Sequence, residues 1–243
     1  MLNKILFLIV VFLSNVIQCI TGFAGTVLAM PFSVMLVGFD TARPVLNVLG
    51  LLASVFILVV GFRHIDKKEF IKITCVMAVG IAVGVFLKDL LSGYDKALYI
   101  TLGVLVIVFA IMNAVSFYSK KERRQMPKIL EIILLLAAGT VHGIFVCGGP
   151  LLVTYASAKL PEKEKFRSTL SAVWIILNGI IFASDLKSGA FTGETLGVLA
   201  WSIAVLVAAL ILGNLIYKKM SKKAFLNLTY VLMIISGISL LIK

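Results

Sequence analysis

A histidine, a cysteine, two adjacent glycines and a proline fall within His142–Pro150, "HGIFVCGGP", inside an otherwise apolar stretch. Glycine permits the backbone turns that end a helix, and proline suits the first turn of the next one. A helix restarting after Gly149 aims free N–H groups and a partial positive charge of roughly +0.5 at the space before it. That is the chemistry of an anion site, with the N–H groups of Gly148, Gly149 and Leu151 as donors. His142 adds a group that can touch a ligand or carry a proton. Cys147 is either a small apolar filler or the edge of a pocket.

A second break of the same kind, "TGFAGTVLAMP" at Thr21–Pro31, offers Thr21, Gly22, Gly25 and Thr26. Irregular backbone at membrane depth must face protein or a water-filled cavity, because lipid cannot pair its N–H and C=O groups. The alternative is that the glycines only allow tight helix packing. Two breaks at corresponding places favour a shared site over packing alone.

A polar stripe follows each break. Arg43, Asn47, Gly50 and Ser54 repeat at helical spacing, and Arg167, Ser171, Trp174 and Asn178 repeat it. Each set lies on one helical face. The stripes predict cavity walls, with Asn47, Ser171, Trp174 and Asn178 toward the substrate. Asn47 and Asn178 fit interhelical hydrogen bonds equally well. For Arg43 and Arg167, interfacial snorkelling is the favoured reading over substrate contact.

These residues need elements to hold them. The chain has 243 residues, 61% of them hydrophobic, against about 45–50% in soluble domains. Apolar runs at roughly 5–20, 45–62, 70–87, 97–118, 129–141, 168–184, 195–217 and 224–242 recur along it, so it reads as a polytopic membrane protein. Two shorter apolar pieces, 26–38 and 150–158, follow the breaks. The N-terminal run resembles a signal peptide but lacks a small-x-small site, and it reads as a retained helix. The net charge of +12 comes from clusters between apolar runs, so no nucleic-acid partner is expected. The three cysteines, Cys19, Cys75 and Cys147, suggest neither disulfides nor a metal site.

The halves resemble each other in order. "ITGFAGTVLAMPFSVML" matches "TVHGIFVCGGPLLVTYA", and "RPVLNVLGLLAS" matches "RSTLSAVWIILN". "KALYITLGVLVI" matches "KAFLNLTYVLMI". The expected fold is an all-α polytopic membrane protein of two inverted repeats. Each repeat has a glycine-broken helical hairpin followed by three transmembrane helices. The first repeat is 1–118, a cytoplasmic linker is 119–128, and the second repeat is 129–243.

Charge decides between topologies. If the short pieces do not return the chain, the 23 Lys and Arg split 12 to 11 between the two faces; if they do, the split is 17 to 6. The positive-inside rule selects the second arrangement, with loops 63–69, 119–128, 159–167 and 218–223 cytoplasmic. An odd number of passes per half then inverts the halves, a signature of secondary transporters.

The eleven acidic residues lie in loops or near segment ends, Glu131 being the deepest. A cation transporter usually carries an intramembrane carboxylate, so an anion or a neutral solute is favoured. No enzyme signature or P-loop is present, and no cofactor or metal is expected.

The breaks "GFAGTVLAMP" and "GIFVCGGPLLV", with "LPEKEKFRSTLSAVWIILN", resemble the sulfite exporter TauE/SafE family, also called the toluene sulfonate uptake permease family. Ala24 and Thr26 stand where that family often has glycine. The resemblance implies transport of sulfite, a sulfonate or a related organic anion. The expected protein is therefore a multi-pass secondary transporter of the cell membrane, working by alternating access. Its partners are a small anionic substrate and the bilayer, with coupling to a proton or another ion as an option. The alternatives are an anion channel, and a membrane scaffold or assembly protein without transport. Oligomeric state is not readable from the sequence.

Overall fold

The computed structural model describes residues 2–90 and 127–242, together with isolated positions between 100 and 115. The described residues form helices and short connections, without strands. In order they are α1 (Leu2–Thr21), α2 (Ala24–Val37), α3 (Phe39–Gly61), a 3-10 turn (Phe62–His64), α4 (Lys67–Leu90), α5 (Lys128–Phe145), α6 (Gly149–Lys159), α7 (Lys163–Lys187), α8 (Gly193–Lys219) and α9 (Lys222–Ile242). Most of the 97–118 run and of the 119–128 linker lies outside the described residues.

Six described helices (α1, α3, α4, α5, α7 and α8) are long and apolar enough to cross a membrane. At about 1.5 Å per residue, the 14 residues of α2 and the 11 of α6 cannot cross a core of about 30 Å. The outward faces of the helices are apolar: Phe32 and Met35 of α2, Phe86 of α4, Ile129 of α5 and Trp201 of α8 are all exposed. Lipid is the solvent that suits them.

Contacts fix the chain direction. Glu131, at the start of α5, pairs with Lys72 near the start of α4 and with Lys159 at the end of α6. Asp66 donates its N–H to Thr169 Oγ1 at 2.9 Å, and Lys163 Nζ donates to the carbonyl of Met220 at 2.8 Å. One end of the molecule therefore collects the starts of α4, α5 and α7 and the ends of α6 and α8. The opposite end collects the end of α2, the start of α3, the end of α7 and the start of α8 around one cavity. Lys4 of α1 lies beside Glu194 at that same end. So α1 and α5 run in opposite directions, as do α3 and α7, and α4 and α8. Each short helix leads the chain back to the end where its hairpin began.

Packing repeats with the same correspondence. The first helix of each half packs on the fourth helix of the other, α1 on α8 and α5 on α4, while α3 packs on α7. The α4–α5 contact is made by Gly80 and Gly84 against Gly139 and Gly143. A Cβ on Gly84 would stand 2.2 Å from the Thr140 carbonyl oxygen, and one on Gly139 would stand 2.3 Å from that of Met77. Two G-x-x-x-G pairs thus bring backbones together, the usual device where lipid offers no hydrophobic drive for association.

Candidate functional site between the two helix breaks

Each break is built from the last turn of one helix and the first turn of the next. At the first, Gly22 has φ +83°, and its N–H donates to the Gln18 carbonyl at 2.7 Å. Thr21 Oγ1 accepts from the N–H groups of Phe23 (3.4 Å) and Ala24 (3.2 Å), and Gln18 Oε1 accepts from Gly25 (2.8 Å). At the second, Val146 takes the left-handed conformation, φ 57°, and donates to the His142 carbonyl at 2.8 Å. Here His142 Nδ1 accepts from the Gly148 N–H at 3.4 Å. Gly149 is the first residue of α6, so its N–H has no partner within that helix.

The arginines reach across to the opposite half. Arg43 donates through Nε to the Ile144 carbonyl (3.3 Å) and through Nη2 to that of Gly143 (3.1 Å). Arg167 donates through Nε to the Cys19 carbonyl at 2.7 Å. Each satisfies carbonyls that a broken helix would otherwise leave unpaired. This corrects the expectation of snorkelling: Arg43 is 3% exposed and Arg167 4% exposed. Their other partners differ. Arg43 is ion-paired with Asp185, whereas Arg167 lies over the Tyr217 ring, 3.9 Å from its centroid, with no carboxylate partner among the described residues.

These contacts fix the correspondence of the halves. Arg43 and Arg167 are 124 positions apart, as are Gln18 and His142, and Cys19 and Gly143. Gln18 therefore stands where His142 stands, as the cap of the following short helix. The sequence reading missed Gln18, although a glutamine in an apolar run seven residues before Gly25 was a visible signal.

The breaks meet. A Cβ on Gly149 would stand 3.1 Å from the Phe23 carbonyl oxygen. Between them lies a small cavity, about 10 Å³, whose walls include Gln18, Thr26, His142, Gly149, Trp174 and Asn178. That is room for roughly one water.

His142 Nε2 is 2.9 Å from Asn178 Oδ1, and Asn47 Nδ2 donates to the Asn178 carbonyl at 3.1 Å. Since Nδ1 accepts from Gly148, Nε2 carries the proton and the imidazole is neutral. The Trp174 ring lies 4.7 Å from that of His142. The buried Trp174 Nε1, Asn47 Oδ1 and Ser171 Oγ have no protein partner. Most buried polar groups are paired, and of these three residues Trp174 is on the cavity wall, where its N–H can serve something held in the cavity. Trp174 Nε1 and the Gly149 N–H are donors without a carboxylate beside them, an arrangement that suits an oxyanion.

Of the residues expected at the site, Thr26, His142, Gly149, Trp174 and Asn178 line the cavity, and Asn47 bonds directly to its wall. Thr21 and Gly25 serve the first break's own caps, and Gly22 makes its turn. Gly148 meets a packing need as well: a Cβ there would stand 2.2 Å from the Ala138 carbonyl oxygen. Cys147 and Ser171 are buried, and neither forms part of the cavity wall.

No curated protein and no solved structure matches the chain significantly. The sequence model of one family, described as Sulfite exporter TauE/SafE, matches residues 6–240, and with nearly its whole length covered the chain belongs to that membrane transporter family.

Proposed function

We propose that the protein is a secondary transporter of a small oxyanion, sulfite or a sulfonate, held between the two helix breaks. The observation that carries this reading is the cavity itself: both halves wall it, its Trp174 carries an N–H without a protein partner, and no carboxylate is on its wall. Thr21, Gly22, Gly25 and Gly148 shape the breaks; Thr26, His142, Gly149, Trp174 and Asn178 contact substrate. Asn47, Ser171 and Cys147 stand behind them.

The halves form inverted repeats, a reading supported by the opposite directions of α1 and α5, α3 and α7, and α4 and α8. The end that gathers Lys72, Lys159 and Lys163 faces the cytoplasm, a reading supported by the positive-inside rule. A cavity for one water is closed to an oxyanion, so substrate enters only when one hairpin moves against the other half. This makes an alternating-access carrier, not an open channel.

Proteoliposomes test both points. Uptake of labelled sulfite should saturate, and unlabelled sulfite on the far side should accelerate it. Flux that rises linearly with concentration would indicate a channel. Absence of flux for sulfite and for methanesulfonate would leave a scaffold role.

A further inference from the structure

We propose that the groove between the first turns of α1 and α8 binds a phospholipid with a primary-amine headgroup, at a site separate from the one between the breaks. The two helices pack side by side, starting from the end opposite the basic loops, and a cavity of about 400 Å³ lies between them. Small-molecule sites typically span about 300–1,000 Å³. Gly193 and Gly197, one turn apart on α8, open it: a Cβ on either would meet no protein atom within 4 Å. Phe7 and Leu8 of α1, with Val198 and Trp201 of α8, make the wall apolar. Lys4 and Glu194, in the first turns of the two helices, stand at its outer end. Both are exposed, and neither is ion-paired with a described residue.

An apolar wall offers nothing to a small oxyanion, whereas it suits an acyl chain, and this face of the helices meets lipid. The two charges decide which lipid. Lys4 suits a phosphate and Glu194 suits a cation, and an ethanolamine headgroup carries both on one molecule. Its ammonium brings N–H donors for charge-assisted bonds to the Glu194 carboxylate. A choline headgroup has no N–H to donate, and a glycerol headgroup has no cation. Trp201 lies about two turns beyond Gly193, about 12 Å along α8. The acyl chain therefore runs from the open glycines to that ring, and tryptophan is common at the membrane interface. At the equivalent contact of the other half, α5 on α4, Lys72 and Glu131 close on each other. Lys4 and Glu194 do not, which leaves both charges for a headgroup.

The test uses Trp174→Phe protein, purified and delipidated in detergent, in which Trp201 is the sole tryptophan. Phosphatidylethanolamine with brominated acyl chains should quench Trp201 saturably. Brominated phosphatidylcholine should need about 3- to 5-fold more lipid for half-saturation, the scale of one exposed ion pair. Glu194→Gln should erase that difference, and Lys4→Gln should raise half-saturation for both lipids by about the same factor. Gly197→Leu fills the groove without meeting a neighbour, and should leave weak quenching that neither saturates nor distinguishes the lipids. Equal half-saturation for the two lipids before these changes overturns the proposal. So does a preference that survives Glu194→Gln or Gly197→Leu. A dimer in detergent that Gly197→Leu turns into a monomer assigns the groove to a second copy of the chain and overturns the lipid site.

Discussion

At the first break, Gln18 takes the N–H of Gly25, and Thr21 takes those of Phe23 and Ala24. At the second, one long bond from Gly148 reaches His142, and Gly149 faces the cavity. The frames are equivalent: a buried arginine from the other half caps the carbonyls of each broken helix. The contents are not. The first break pairs three of its N–H groups with its own side chains, and the second pairs one. The stripes diverge in the same sense, since Gly50 stands where the other half carries Trp174, and Ser54 turns back to the Gly50 carbonyl while Asn178 bonds His142. Equivalent arginine caps can therefore frame breaks whose polar groups differ.

The largest expected contrast is between the arginines. Arg43→Ala leaves Asp185 as a buried, unpaired charge and should cost about 3–5 kcal/mol. Arg167→Ala strands the Cys19 carbonyl but no carboxylate, and should cost about 1–3 kcal/mol. Unfolding of the purified variants in detergent would measure both. Equal losses would remove the distinction between the two ends.

The caps come next. His142→Ala should reduce transport about 10- to 100-fold, as loss of a bond to an ionic substrate does. Gln18→Ala should instead lower stability by about 1–2 kcal/mol by stranding the Gly25 N–H, with less effect on transport per folded molecule. The reverse pattern in a flux assay would assign the substrate to the first break.

Trp174→Phe is subtler. It removes an N–H that no protein group uses. Stability should stay within about 0.5 kcal/mol, while the KM for sulfite rises about 10-fold. The smallest change is expected for Thr21→Val, which removes the cap of α2 for about 1 kcal/mol and leaves KM unchanged.

The helices were legible because a membrane demands long apolar runs. The short elements at 26–38 and 150–158 appear as Ala24–Val37 and Gly149–Lys159. α3 starts at Phe39, earlier than the apolar run at 45, because Arg43 is satisfied by carbonyls of α5 and can sit inside the helix. The same cross-half contact explains the misjudged arginines: periodicity tells which residues share a face, not which backbone that face meets. Gln18 escaped notice because the glycines of the two breaks were matched to each other, whereas the capping contacts pair residues 124 positions apart. The paired glycines of α4 and α5 were also in plain view, but only their opposition across two helices gives them meaning.

The central claim is that substrate binds between the breaks, against Trp174. The chain has two tryptophans, and Trp201 is 71% exposed on the apolar face of α8. Trp201→Phe therefore leaves Trp174 as the sole reporter. Titrating this variant with sulfite in detergent should change its emission saturably, at concentrations matching the transport KM, and adding His142→Ala should abolish the change. An emission that stays constant through saturating sulfite, in protein that still transports it, would place the substrate elsewhere.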